Sequence, residues 1–397
     1  MCFMNSILQA LVYCVPFYNL LGMVGSRLAY KIHSKTPILD SLIMFMREFA
    51  LTQAKFEDNM RAGAPFGDSF IPEFVYEAMR SNQLFASMRR GHQEDAEEFL
   101  GFLLDGLHEE FVAAIDRLNA DPAIVARLTA QPPAAPPYND LAYLMASLED
   151  SQPAAEDDGW LEVGKKNRVS VTRTTAVASS PITNLFGGSF RSVISVARQK
   201  PSVTLDPYQR VQLDISAPDV RTIEDALAHV SRAETVPYKA NSGETVDASK
   251  QTFFETLPRI LILHLKRFDF VLTPGSAYAS IHKITKTVGY GRALRIPPEC
   301  IAEAQRATPA DYKLFGVVYH HGKSAEGGHY TVDLHRRHHD TWINIDDTHI
   351  REIAPDAVDT AYEDALAARR RAVAAGVADD RTAYLLFYER VLDETVL

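Results

Sequence analysis

Cysteine is scarce, with three in 397 residues: Cys2, Cys14 and Cys300. Thiols so few and so far apart make no disulfide framework and point to a reducing compartment. A cytoplasmic protein is therefore expected, with nuclear entry left open. No run of about 18 apolar residues occurs, so no membrane span is expected. A basic stretch followed by an apolar one is missing at the start, which argues against a signal peptide. Positive charge is in the minority, 41 Lys and Arg against 51 Asp and Glu, giving a formal net charge of -10. Nucleic acid is thus not an expected partner, whereas a basic protein surface would be attracted. The remaining composition, 46% hydrophobic and 10% aromatic, is that of a globular chain long enough for one large or two ordinary domains.

The first fourteen residues organise the rest. Phe3, Met4, Ile7, Leu8, Leu11 and Val12 fall at i, i+3, i+4, i+7 and i+8 spacing, one continuous helical stripe. Pro16 is expected to stop this helix, since it lacks an N–H and restrains the residue before it. Cys2 then sits at the helix N-terminus, where unpaired N–H groups and the macrodipole favour thiolate over thiol. Alone, it reads as a small buried hydrophobe before it reads as a catalytic residue.

A second block lies near residue 329. Tyr312 to Gly322 reads as a strand, Lys323 to Gly328 as a loop, His329 to Leu334 as a strand and Trp342 to Asp347 as a third. Successive antiparallel strands lie side by side, so His329 and Asp346 can meet across a sheet. A nucleophile on a helix start, an imidazole and an orienting carboxylate form a generalised triad.

Three blocks together resemble the ubiquitin-specific proteases. They are Cys2-Phe3-Met4-Asn5-Ser6-Ile7-Leu8-Gln9-Ala10-Leu11, then Gln93-Glu94-Asp95-Ala96-Glu97-Glu98-Phe99-Leu100, then Gly327-Gly328-His329-Tyr330 with Trp342 and Asp346-Asp347. Thr382 to Tyr388 closes the series, in the family's order and over nearly the whole chain. The resemblance implies an α+β, papain-like cysteine protease fold with a helical thumb, a β-rich palm and extended β fingers. It implies a single catalytic domain over 1–397, with the thumb in 1–128, fingers mainly in 176–256 and palm mainly in 257–397. Residues 129–175, rich in Pro, Ala and acids, are expected to be a disordered insertion, with a short helix near Leu141–Leu148.

Along the chain, Thr36-Pro37 is a cap followed by proline at the first helical position. Pro72 opens a short helix to Met79, and Gln93 to Leu118 is the strongest helix, its first turn rich in acid. Leu257 to Phe268 is a near-continuous apolar strand suited to a sheet centre, with His264 a core residue. His335, His338 and His339 read as a solvated hairpin loop rather than a metal site, and Ala361 to Ala378 as an exposed helix.

By the resemblance, Cys2 is the nucleophile, His329 the general base and acid, and Asp346 the residue that orients the imidazole. Asp347 supports a water or the oxyanion. Gln93, Asp95, Gly328 and Tyr330 would border the channel for ubiquitin's C-terminal tail, Asp95 by accepting hydrogen bonds from the tail's backbone. The expected partners are ubiquitin and ubiquitinated proteins, and the expected state is monomeric. Many relatives carry zinc on two C-x-x-C pairs in the fingers. The corresponding positions here are Val196, Gln199, Ala240 and Gly243, so no cofactor is expected. The family's Asn-x-Gly lead before the cysteine, whose asparagine helps form the oxyanion hole, does not precede Cys2. Losing one oxyanion donor costs about 10²–10³ in rate. The alternative expectation is therefore a catalytically impaired ubiquitin-binding scaffold.

Overall fold

The computed structural model describes residues 1–27, 34–48, 69–88, 93–120, 161–163, 170–174, 178–197, 199–239, 245–272, 279–307, 310–322, 327–337, 340–359, 362–363, 366–367, 370–371 and 380–391. Its helices are α1 (Cys2–Val12), α2 (Val15–Arg27), α3 (Pro37–Glu48), α4 (Glu73–Arg80), α5 (Ala96–Asn119), α6 (Pro181–Phe186) and α7 (Ile223–Val230). The strands begin with β1 (Leu161–Val163), β2 (Ser170–Thr174), β3 (Gly188–Ser195), β4 (Ser202–Tyr208), β5 (Val211–Asp214), β6 (Glu234–Lys239), β7 (Thr245–Thr256) and β8 (Ile260–Lys266). They continue with β9 (Phe268–Leu272), β10 (Ala279–Lys283), β11 (Ala293–Arg295), β12 (Asp311–His321), β13 (His329–Arg336), β14 (Thr341–Asp346), β15 (His349–Ile353) and β16 (Thr382–Arg390). Contacts divide the chain into two compact units: Met1–Asp150, Ser179–Leu185 and Phe315–Ala357 in the first, Ser151–Ala178, Phe186–Leu314 and Val358–Leu397 in the second.

In the first unit, α1 is buried almost all round, with Cys2, Phe3, Met4, Ser6, Ile7, Leu8, Ala10, Leu11 and Val12 inside. Only Asn5 and Gln9, four residues apart, make a polar row along it. Phe3 meets Phe99 of α5 edge to face, ring centroids 5.7 Å apart. The helix ends at Val12, before Pro16, which instead lies in the first turn of α2; the two axes differ by 83°. Proline suits that place because its missing N–H falls among groups no helix satisfies.

The two N–H groups that a Thr36 hydroxyl would serve, those of Ile38 and Leu39, donate instead to the two carboxylate oxygens of Glu110 on α5, at 2.9 and 2.8 Å. One helix thus caps another. α5 itself starts at Ala96 rather than Gln93, with Asp95 as N-cap accepting the Glu97 N–H at 2.7 Å. Strands β12, β13, β14 and β15 follow as an antiparallel meander. On the β13–β14 hairpin, His335 pairs with Asp340 at 3.0 Å and lies over Trp342, while His338 and His339 lie outside the described residues.

In the second unit, β1-β2-β4-β3-β7-β6 form one sheet, antiparallel except for β2 with β4. β1 and β2 correct the expectation of disorder through 175: Val171, Thr172 and Thr174 are β-branched and pair readily. The expected helix at Leu141–Leu148 lies outside the described residues, and of Ala361–Ala378 only three helical pairs, 362–363, 366–367 and 370–371, are described. β8, buried from Ile260 to Leu265, runs between β16 and β5, as its unbroken apolar run requires. His264 is a core residue packed edge-on against Tyr384. Arg267, almost wholly buried, donates to the carbonyls of Ala383, Ile284 and Lys286. Arg259 pairs with Glu389 at 2.8 Å, both side chains buried.

Candidate active site

The site lies within the first unit. Cys2 occupies the first position of α1, buried, with Met1 as N-cap offering no side-chain hydrogen bond. No side chain of the N-cap therefore competes for the N–H groups of the first turn, the end of a helix that favours negative charge. α1 packs on β13, the strand that begins at His329.

The β13–β14 register places Val332 opposite Ile345 and carries the hairpin back toward its open end. There His329 Nε2 and Asp346 Oδ1 are 2.5 Å apart. With Nε2 held by the carboxylate, Nδ1 is the ring nitrogen left to exchange a proton with a thiol. The side chains are 37% and 52% exposed, so solvent screens the charge pair and its main effect is to orient the ring. Across β12, His321 stands in register with His329, ring centroids 5.9 Å apart, and His321 Nε2 lies 2.9 Å from Thr331 Oγ1. Sequence reasoning overlooked His321.

Asp347 follows β14 in the two-residue turn to β15 and takes φ of 50°, a left-handed conformation that aspartate tolerates. Asn5 Nδ2 donates to its Oδ1 at 3.1 Å and Gln9 Nε2 to its carbonyl at 3.2 Å. The Tyr76 hydroxyl of α4 donates in turn to Asn5 Oδ1 at 3.1 Å. One ligand-type atom from each of His329, Asp346 and Asp347 falls within 4.8 Å of the others. Asn5, Gln9 and Tyr76 were not expected at the site; the signal available was the polar i, i+4 pair on the face that also carries Cys2.

The four expected channel residues separate into two kinds. Gln93 is exposed and its side-chain amide donates to the Gly328 carbonyl at 2.5 Å. Asp95 is half-buried at the α5 start, one oxygen engaged by Glu97. Tyr330 is buried, its hydroxyl accepting the Ala96 N–H; burial first, then the Asp95 and Cys2 charges, hold that phenol well above its usual range. It braces β13 against α5 more than it lines an opening. Gly328 has no room for a side chain, since a Cβ there would strike the His321 carbonyl and the His320 ring.

The residues aligned with the family's zinc ligands do not fit the metal. Val196 and Gln199 close a turn between β3 and β4, with the Gln199 N–H donating to the Val196 carbonyl at 3.1 Å. A valine offers no ligand atom, and Ala240 and Gly243 lie outside the described residues.

The ubiquitin carboxyl-terminal hydrolase family model matches residues 1–388. Among curated proteins, the chain is 40% identical to the probable ubiquitin carboxyl-terminal hydrolase 3 of Schizosaccharomyces pombe, over 98% of this chain and 72% of that protein. It is 33% identical to hydrolase 3 of Saccharomyces cerevisiae and 36% identical to hydrolase 10 of Rattus norvegicus. It spans 98% of itself in both matches but only 48% and 47% of those proteins, about half their length. The SAGA DUB module of Ubp8, Sgf11, Sus1 and Sgf73 bound to monoubiquitin contains a chain of like fold, TM-score 0.63 at 21% identity, covering 98% of this chain and 67% of that one. The fold is α+β and papain-like, and the chain belongs to the ubiquitin carboxyl-terminal hydrolase family of cysteine-type deubiquitinating enzymes.

Proposed function

We propose that this chain hydrolyses the peptide or isopeptide bond at the C-terminal glycine of ubiquitin. The observation that carries the reading is the His329–Asp346 pair, whose imidazole starts the strand β13 against which the Cys2 helix packs. Cys2 thiolate attacks the carbonyl carbon, and the π electrons move to oxygen. His329, holding the thiol proton on Nδ1, delivers it to the leaving amine as the tetrahedral adduct collapses to a thioester. Water, deprotonated by His329, then attacks the thioester and releases ubiquitin's carboxylate and the thiol. Asp346 keeps Nε2 occupied and stabilises the charged ring throughout. Gln93 and Asp95 border the tail on its way to Cys2. The Asp95 carboxylate, which caps α5 through one oxygen, is of the kind that accepts backbone N–H groups of an extended peptide.

No zinc is assigned to the fingers, since valine and glutamine stand where ligands would be needed. The net charge of -10 suits ubiquitin's basic face and disfavours nucleic acid. The three cysteines are buried and none is in a disulfide, which supports a reducing compartment, cytoplasm with access to the nucleus, and a monomer without intermolecular disulfides.

The test is turnover of a ubiquitin C-terminal fluorogenic amide by the chain, by Cys2→Ala, and by a form extended with an Asn-x-Gly lead. Turnover that disappears in Cys2→Ala, with ubiquitin binding retained, is expected. Ubiquitin binding without turnover in either the chain or its extended form would sink the protease reading in favour of a scaffold.

A further inference from the structure

We propose that Tyr76 and Asn5 form a positioning relay that fixes the Asp347 carboxylate beside the His329–Asp346 pair. The inference rests on the protease reading and adds to its machinery two residues that act through Asp347.

The relay starts from the constraint on α1. That helix is buried all round except at Asn5 and Gln9, and both of these amides bond to another element among the described residues. Both reach one residue: Asn5 the side chain of Asp347, Gln9 its carbonyl. Cys2, Asn5 and Gln9 are spaced i, i+3 and i+7, hence on one face. The turn that follows the orienting Asp346 is thereby tied to the helix that carries the nucleophile.

The second constraint is on the direction of the Asn5 amide. An asparagine can present either its oxygen or its nitrogen to a neighbour, and only the nitrogen suits a carboxylate. The Tyr76 hydroxyl decides between them. By donating to Asn5 Oδ1 at 3.1 Å it leaves Nδ2 facing Asp347. Without that hydroxyl the amide is free to turn and set oxygen against oxygen.

The third point is charge. Asn5 and Gln9 are neutral, so they hold Asp347 without cancelling its charge, as a lysine or arginine would. A carboxylate within 4.8 Å of both the imidazole and the Asp346 carboxylate sets a second negative charge beside the ring that carries the proton in the proposed reaction. Asp347 is exposed and sits in a turn, where nothing on β14 or β15 would keep its carboxylate in place. The helix-borne amides supply that restraint.

The experiment measures two quantities on the purified chain: the rate of Cys2 alkylation by iodoacetamide at neutral pH, followed on the Cys2 peptide, and hydrolysis of ubiquitin amide. The variants are Tyr76→Phe, Asn5→Leu, Asp347→Asn and the double variant Tyr76→Phe with Asp347→Asn. Tyr76→Phe removes only a hydroxyl from a half-buried ring, so it carries the test if Asn5→Leu fails to fold. Both quantities should fall roughly three- to tenfold in Tyr76→Phe, the hydrolysis loss in kcat with KM and thermal midpoint unchanged. In the Asp347→Asn background the hydroxyl should cost nothing further, because the charge it serves is gone. Unchanged alkylation in Tyr76→Phe, or a loss that adds in full to that of Asp347→Asn, overturns the relay. Altered alkylation in a chain that never hydrolyses ubiquitin amide would leave the relay standing and remove the protease reading instead.

Discussion

Glu110 lies buried on α5 and holds the first turn of α3 by both carboxylate oxygens. Two effects oppose each other there. Burial raises its pKa from 4.5 to about 7, while the N–H groups of Leu39 and Ile38 pull it down. Because the folded value lies above the unfolded one, the folded state binds the proton more tightly between pH 4.5 and 7. The group's contribution to stability is then full below 4.5 and lost as pH rises through 7. The rise from 4.5 to about 7 sets a ceiling of about 3 kcal/mol on that loss. Glu110→Gln is neutral throughout and lacks this pH dependence. It keeps one acceptor for one N–H and turns a donor toward the other, which costs about 1–3 kcal/mol. Urea unfolding of both proteins, followed by far-ultraviolet circular dichroism at pH 5, 6, 7 and 8, isolates the contribution of the Glu110 proton by difference. Wild type should lead at pH 5, and its lead should shrink by up to about 3 kcal/mol by pH 8. A lead that holds steady or widens with rising pH would mean that the two N–H bonds outweigh burial and keep Glu110 charged, and the reasoning would fail.

Two further outcomes are expected. Glu389→Ala strands the buried Arg259 guanidinium and should cost about 3–5 kcal/mol in urea unfolding, with part of the loss recovered by Arg259→Met in the same chain; a single-variant cost below about 1 kcal/mol would show that the arginine finds other partners. Gly328→Ala would press a methyl against the His321 carbonyl and the His320 ring just before His329, and should lower kcat/KM for ubiquitin amide at least about tenfold; wild-type turnover would show that the strand entry yields without moving the imidazole.

The apolar stripe of α1, the β12–β13–β14 run and the unbroken strand at Ile260 to Lys266 were open to sequence reasoning because each is a periodic pattern within a dozen residues. So was the meeting of His329 with Asp346, since neighbouring strands in an antiparallel meander leave few alternatives for which ends adjoin. The start of α5 was set too early because an acidic stretch resembles a first helical turn until one of its acids is seen to be the cap, here Asp95. What stayed hidden were the groups whose value depends on a distant partner. Glu110 looks like one more charge on a long amphipathic helix until Ile38, 72 residues away, brings its N–H. Asn5 and Gln9 look like the solvated face of α1, yet their partner is a turn more than 330 residues on. Periodicity reports which face of a helix is apolar; it is silent on what a polar face meets. A polar pair at i, i+4 on a helix otherwise buried all round is nevertheless informative, because it marks the one face on which such a helix can make polar contacts with a neighbouring element. When the same face carries the nucleophile, the most economical partners are the residues that complete the site.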